Sequence, residues 1–298
     1  MMTGEPESGY LHLLPFGIPT LVIAEDPQLL AAAAATYAYW RAEAPFADPA
    51  LELRLETGSA SSSGVCLDIK VEGSRLKLAG GAANGSADLR TGKAHAVVRH
   101  GLTGDALADV ADTLLLFLLA RRARTPVHAS AFMLGDRAVL LTGPSGSGKS
   151  TLALAAAQLG HPVLSDDIVF IQREPDFAIW GLPRPIHVFA HDAPPGEHST
   201  RLRNGKRKAA IAIVAPEAQS ADDSALIVLQ RGNDLALSPI EQADAVETLM
   251  SLEPGFDLLE KESRAAAEEL ACRGAWRLTL SDDPHAAIEF LTKHLPVR

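Results

Sequence analysis

The sequence predicts an α/β protein in two parts: a mixed, strand-rich N-terminal domain over residues 1–125, ending in a helix, and an α/β domain over 126–298. Three observations predict it. Between residues 10 and 100, short runs partly alternate apolar with polar and are punctuated by Gly, Ser and Asn, as half-buried strands are. From residue 127 onward, apolar runs of strand length alternate with stretches of helical spacing, the texture of an α/β domain of roughly 170 residues. Residues 143–150 then place a glycine-rich loop between an apolar run and a helix-forming one.

In the N-terminal part, strands are expected at 51–55, 65–71, 75–78 and 95–98, with an Ala-rich helix over 27–41 interrupting them. A second helix is expected after Thr103, which can cap it. Leu107, Val110, Leu114, Leu115 and Leu118 keep helical spacing. Asp105 and Asp109 lie in its first turns and Arg121, Arg122 and Arg124 at its end, matching the helix dipole. Pro126 is expected to stop it, and the domain boundary is placed there.

Beyond it, strands at 127–133 and 138–142 are joined by a Gly135-Asp136 turn, and a helix over 149–159 ends at Gly160. A strand at 163–165 precedes a hairpin of 168–172 and 177–180 across Glu174-Pro175-Asp176. A polar loop leads to strands at 209–214 and 225–230. Ser238-Pro239 with Glu241 reads as a capping box opening a helix. A helix near 257–273, a strand at 276–280 and a helix from Pro284 complete the chain. No internal repeat interrupts this order.

Composition narrows the function classes. The chain has 298 residues, 47% hydrophobic and 21% charged, ample for a core; with aromatics at 5%, that core must be mainly Ala, Leu, Val and Ile. Basic residues number 27 against 37 acidic, a net charge of -10, whereas a dedicated nucleic-acid binder carries a basic footprint. No nucleic-acid partner is expected. Two cysteines, Cys66 and Cys272, cannot build a disulfide framework, which suits a reducing cytoplasm. Neither has a basic frame that would make it a nucleophile. The first residues lack the basic and apolar regions of a signal peptide. The purest apolar run, 114–120, falls far short of the ~20 residues that cross a bilayer. A cytoplasmic location without membrane contact is the expectation.

Residues 143–150 read Gly143-Pro144-Ser145-Gly146-Ser147-Gly148-Lys149-Ser150 and satisfy G-x-x-x-x-G-K-S/T in the strand–loop–helix context that motif requires. The glycines let the backbone curl so that its N–H groups face phosphate oxygens. Lys149 offers a cation to the β/γ oxygens, Ser150 a hydroxyl to Mg²⁺, and the helix N-terminus, with Thr151, a partial positive charge. The loop is expected to bind a nucleoside triphosphate. Asp166 and Asp167 follow the next apolar run. One carboxylate can organise a metal while its neighbour accepts a proton from an attacking hydroxyl, or merely caps a turn. His128 opens the strand that pairs back toward the loop, and could stand beside the γ-phosphate or serve structure alone.

His128-Ala-Ser, the loop 143–150 and Gly160-His161-Pro-Val-Leu-Ser-Asp166-Asp167, with 15 residues from His128 to Gly143 and 17 from Lys149 to Asp166, resemble the catalytic core of the HPr kinase/phosphorylase family. The likeness covers residues 128–190; the first 120 residues carry none. It implies a P-loop domain of HPr-kinase and PEP-carboxykinase-like architecture, with ATP and Mg²⁺ as cofactors. Lys149 and Ser150 become phosphate and metal residues, and His128 an active-site polar group. Asp166 and Asp167 become the base and metal pair, with Asp166 leaning to the base and Asp167 to the metal. Bifunctional bacterial members carry Glu-Ile-Arg-Gly-Leu-Gly after the aspartates. Here the stretch is Ala178-Ile179-Trp180-Gly181-Leu182-Pro183, followed by Arg184, a cation that could serve by another route. Phosphorylase activity and HPr as substrate are therefore not expected. The chain is more similar to divergent HPr-kinase-like proteins, including those encoded with lasso-peptide genes that phosphorylate a precursor peptide.

Arg201, Arg203, Lys206, Arg207 and Lys208 crowd a basic stretch into an acidic protein, with Asn204-Gly205 marking a turn. It is either a solvated hairpin tip or a loop that meets substrate or phosphate. His187, His191, Asp192 and His198 match no zinc spacing and read as an ordinary loop. The expected function is an ATP- and Mg²⁺-dependent kinase that phosphorylates a serine of a peptide or small protein, a lasso-peptide precursor being one such acceptor. A nucleotide-binding regulatory module without phosphotransfer and a small-metabolite kinase stay open as alternatives, as does homo-oligomerisation.

Overall fold

The computed structural model describes residues 9–59, 67–80, 82–120, 122–182, 184–196, 198–203, 206–213, 220–251 and 260–296. It divides into two compact units, Met1–Arg122 and Ala123–Arg298. The first is a seven-stranded sheet with two helices. Its strands are β1 (Tyr10–Leu13), β2 (Thr20–Ala24), β3 (Leu51–Gly58), β4 (Asp68–Glu72), β5 (Arg75–Gly80), β6 (Ala83–Asp88) and β7 (Lys93–Arg99), in the order β1-β2-β3-β7-β6-β5-β4. β2, β3 and β7 run parallel, while β4 to β7 form an antiparallel meander.

Helix α1 (Pro27–Thr36) starts where it does because Asp26 accepts the N–H groups of Gln28 and Leu29, with proline at the first helical position. It is shorter than the expected 27–41. A separate 3₁₀ turn, Ala38–Trp40, follows, because Tyr37 and Trp40 are buried and Trp40 packs edge-on to Phe16. Helix α2 (Gly104–Ala120) lays its buried Leu107, Val110, Leu114, Leu115 and Leu118 on the sheet. Tyr37 donates a 2.8 Å hydrogen bond to the buried Asp112 of α2, which pins the end of α1 to it. Pro126 does not end α2. The helix stops at Ala120, Ala123 takes a left-handed φ of 57°, and Pro126 lies inside the next strand. Arg124 is likewise no helix-end charge, being buried over the Trp180 ring. Arg121 and Cys66 fall outside the described residues.

The second unit contains β8 (Thr125–Val127), β9 (Ser130–Leu134), β10 (Arg137–Thr142), α3 (Lys149–Gln158), β11 (Val163–Ser165), β12 (Val169–Gln172) and β13 (Ala178–Trp180). It continues with β14 (Ile186–Phe189), β15 (Ser199–Arg203), β16 (Lys206–Ile211), β17 (Ser220–Ala221), β18 (Asp223–Arg231), β19 (Ala236–Pro239), α4 (Gln242–Ser251), α5 (Glu260–Cys272), β20 (Ala275–Leu280) and α6 (Pro284–His294). The central sheet is six-stranded, in the order β11-β9-β10-β18-β20-β19, with β10, β18 and β20 parallel. Between Arg137 and Thr142 at its ends, β10 is apolar from Ala138 to Leu141 because both of its faces are covered. Val139 and Leu141 meet Leu152 of α3 and Ile288 of α6 on one face. Ala138 and Leu140 meet Val246 of α4 and Leu270 of α5 on the other.

Two sequence expectations change here. Ser238-Pro239 opens no helix, because these residues pair with Arg277 and Trp276 in edge strand β19 and α4 starts only at Gln242. An edge position is where a sheet tolerates proline, so tertiary pairing overrides the local capping pattern. The expected polar loop after residue 180 instead contains the three-stranded sheet β14-β16-β15. Residues 214–219 and 252–259 fall outside the described residues. Among the described residues no helix is long and apolar enough to cross a membrane.

Candidate functional site

β10 and β11 are each antiparallel to β9, so they run the same way and end at one edge of the sheet. The glycine loop leaves the end of β10, the aspartates leave the end of β11, and β9 begins at that same edge just after His128. Open α/β sheets place ligands at the carboxyl ends of parallel strands, and β18 and β20 deliver Arg231 and Leu280 to this edge as well.

Lys149 is the first residue of α3, and Gly148 caps the helix with a left-handed φ of 109° that a side chain would strain. The lysine is buried, folded back over the loop, and donates from Nζ to the carbonyls of Gly143 (2.6 Å) and Pro144 (3.3 Å). Burial pushes its ammonium below the usual lysine range, an effect that the charges of Asp167 and Asp166 oppose and that of Lys208 adds to. Ser147 Oγ is buried without a hydrogen-bond partner among the described residues. Such an orphan is costly unless a ligand satisfies it, and its place inside the loop fits a phosphate oxygen.

The two aspartates are held differently. Asp166 is buried; Ser130 Oγ donates to its Oδ1 at 2.8 Å and the His187 backbone N–H to its Oδ2 at 3.0 Å. Asp167 has a left-handed φ of 78°, a side chain 37% exposed, and an Oδ1 3.5 Å from His128 Nδ1. His128 is anchored in turn, its carbonyl accepting from Thr142 Oγ1 at the end of β10. Ser165 Oγ donates to the carbonyls of Ile168 and Leu182, closing the turn that carries both carboxylates. A Cβ on Gly181 would overlap the Leu164 carbonyl, so the close approach of that segment to β11 needs glycine. Ser150 and Thr151 are half-buried in the first turn of α3.

The other predicted residues are spread more widely. Arg184 is half-buried, three residues before the His187 N–H that binds Asp166. The basic stretch forms the hairpin of β15 and β16. Arg207 is exposed, and Lys208 lies over the Phe189 ring. The side chains of Arg201, Arg203 and Lys206 are outside the described residues. Ala178 and Trp180, where the bifunctional signature has Glu and Arg, sit on β13, and Trp180 Nε1 donates to Gln172. Sequence reasoning missed Ser130 and the His187 N–H as carboxylate supports, and Arg231 beside the loop. The Arg231 guanidinium comes within 3.4 Å of where a Cβ on Gly148 would stand. Only the HPr-kinase-like His-Ala-Ser run hinted at Ser130; Arg231 needs the strand order to be found.

No family model matches the chain, and no curated protein matches it. Among solved structures, the HPr(Ser) kinase/phosphatase from Coxiella burnetii matches at 14% identity, covering 58% of this chain and 96% of that one, with a TM-score of 0.28. A likeness of that size carries no argument for fold or activity.

Proposed function

We propose that the unit Ala123–Arg298 is an ATP- and Mg²⁺-dependent kinase that transfers the γ-phosphate to a serine hydroxyl of a peptide or small protein in the cytoplasm. The observation that carries this reading is the meeting, at one sheet edge, of the glycine loop with two carboxylates in contrasting environments and an imidazole. Nucleotide binding alone requires the loop and one carboxylate. A second carboxylate, accessible and beside a histidine, supplies what proton transfer needs.

The contrast favours a division of roles opposite to the one the sequence suggested. Asp166 has both oxygens engaged and is shielded from solvent, which suits a fixed group that still has lone pairs for a metal or its water. It and the Ser150 hydroxyl would be the hard oxygen donors, of the kind Mg²⁺ takes, that hold the metal. Bound there, Mg²⁺ would neutralise charge on the transferring phosphoryl group. Asp167 is reachable by an acceptor. Its carboxylate takes the seryl proton as the seryl oxygen forms its bond to the γ-phosphorus, and the bond to the β-phosphate oxygen breaks to release ADP. Lys149 and the loop N–H groups hold the charge that develops on ADP. His128, 3.5 Å away through Nδ1, orients Asp167. The acceptor class, including a lasso-peptide precursor, rests on the motif resemblance and on the basic hairpin carrying Arg207 and Lys208. Incubation with γ-labelled ATP, Mg²⁺ and serine-containing peptides tests the reading: label should enter the peptide and vanish when its serine is alanine. Tight ATP binding without transfer to any acceptor would instead support a regulatory module.

Two results are expected from details of the site. Lys149 must be charged to bind phosphate, and burial lowers its pKa from 10.5. Affinity for Mg·ADP should therefore hold at neutral pH and fall as pH rises through that lowered value, at a pH below where a solvent lysine titrates. Replacing Lys149 with arginine, which stays charged, should remove the alkaline limb. Calorimetric titration across pH checks both. The reverse reaction should be weak. Inorganic phosphate is a small free anion with only local charge to hold it, and Ala178 and Trp180 offer none. Phosphorylated acceptor with Mg²⁺ and phosphate should yield pyrophosphate at least about tenfold more slowly than the forward rate; a comparable rate would restore a bifunctional reading.

A further inference from the structure

Resting on that reading, we infer that the cavity flanking the loop on its Gly148 side takes the nucleoside end of the nucleotide, with Asp282 as the hydrogen-bond acceptor for its ribose hydroxyls. The cavity holds about 370 Å³ and is bounded by Gly148, Thr151, Asp192, Arg231, Leu280 and Asp282. That volume lies in the range of roughly 300–1,000 Å³ typical of small-molecule sites. Its walls come from the loop, from the turn after β14, from the ends of β18 and β20, and from the turn into α6, which are distant in sequence.

Three charged groups line this cavity, Arg231, Asp192 and Asp282, and among the described residues the side chains of Arg231 and Asp282 have no hydrogen bond or ion pair. Arg231 stands against the phosphate loop at Gly148, beside Leu280, whose Cδ1 lies 3.5 Å from the same Cβ position. Asp282 is exposed in the turn after β20. Its neighbour Asp283 is committed elsewhere, its Oδ1 accepting the N–H groups of His285 and Ala286 to cap α6. Opposite charges that share a cavity without reaching each other are complementary to a ligand that is anionic at one end and rich in donors at the other. A nucleoside phosphate is such a molecule. Its phosphates lie at the loop and Arg231, and its ribose supplies hydroxyl donors to an acceptor-only carboxylate. Asp192, on the same cavity, has an Oδ1 only 3.4 Å from His191 Nε2, which leaves Asp282 the unengaged acceptor.

The test compares Mg²⁺-supported binding of ADP, 2′,3′-dideoxy-ADP and pyrophosphate by calorimetry to the full chain, none of which the kinase reaction consumes without acceptor. Wild type should bind ADP about tenfold more tightly than the dideoxy form, the scale of a hydrogen bond to a charged group. Asp282→Ala should bring that ratio near one by weakening ADP alone, and Asp282→Asn, which keeps an acceptor oxygen, should retain part of it. A wild-type ratio near one, or a ratio unchanged in Asp282→Ala, overturns the inference while bound pyrophosphate leaves the loop reading standing. Failure of wild type to bind any of the three overturns both.

Discussion

Lys149→Ala should abolish phosphotransfer, lowering kcat by about 10²–10³-fold or more, while the circular dichroism spectrum and unfolding midpoint stay near wild type. The side chain is buried at the N-terminus of α3, and its bonds within the protein are to the Gly143 and Pro144 carbonyls. Those carbonyls already face a loop built to hold a ligand, and removing a desolvated cation leaves no packed apolar surface void. The loss is therefore catalytic rather than structural: the charge that would stabilise the departing ADP has gone. Retained turnover with native spectra would mean that phosphate does not sit in this loop.

Asp167→Asn should lower kcat by about 10²–10⁴-fold with little change in Mg²⁺ affinity, the behaviour of a lost general base. Asp166→Asn should act differently. Its requirement for Mg²⁺ should rise, and part of the loss should be recovered at high Mg²⁺ concentration. The contrast follows from environment. Asp166 is enclosed by Ser130 and the His187 N–H, whereas Asp167 is accessible and faces His128 at 3.5 Å. Steady-state rates over a Mg²⁺ series separate the variants. If Asp166→Asn proved insensitive to Mg²⁺ and Asp167→Asn responded to it, the roles would revert to the order the sequence suggested.

The parts of the site that could be read directly from the sequence are continuous in the chain. The glycine loop, the aspartate pair and His128 each lie within a short motif; the hairpin of β9 and β10 brings His128 to the loop, and the pairing of β11 with β9 after α3 brings the aspartates. Arg231 and Asp282 could not be read this way. They reach the loop only because β18 and β20 run parallel to β10, a fact of long-range sheet order that no local spacing encodes. The supports of Asp166 were hidden for a related reason, since a backbone N–H such as that of His187 has no side-chain signature. In the fold, α2 was legible from its leucine spacing and β10 from its apolar run. The 3₁₀ turn at Ala38–Trp40 was not, because burial of Tyr37 and Trp40 outweighs the helix preference of the alanines before it. Nor was β19, where pairing with β20 prevails over a capping pattern. The seven-stranded sheet showed its alternating strands, but the mixed parallel order of β2, β3 and β7 depends on crossovers and became visible only in the structure.

The most direct test of the central claim is a single-turnover experiment with enzyme in excess over γ-labelled ATP, Mg²⁺ and a serine acceptor, run alongside Lys149→Ala. Phosphoserine should form in step with ADP, require Mg²⁺, and be absent from the variant. Nucleotide that stays bound as ATP, with neither ADP nor phosphoserine formed for any acceptor, would contradict phosphotransfer at this site.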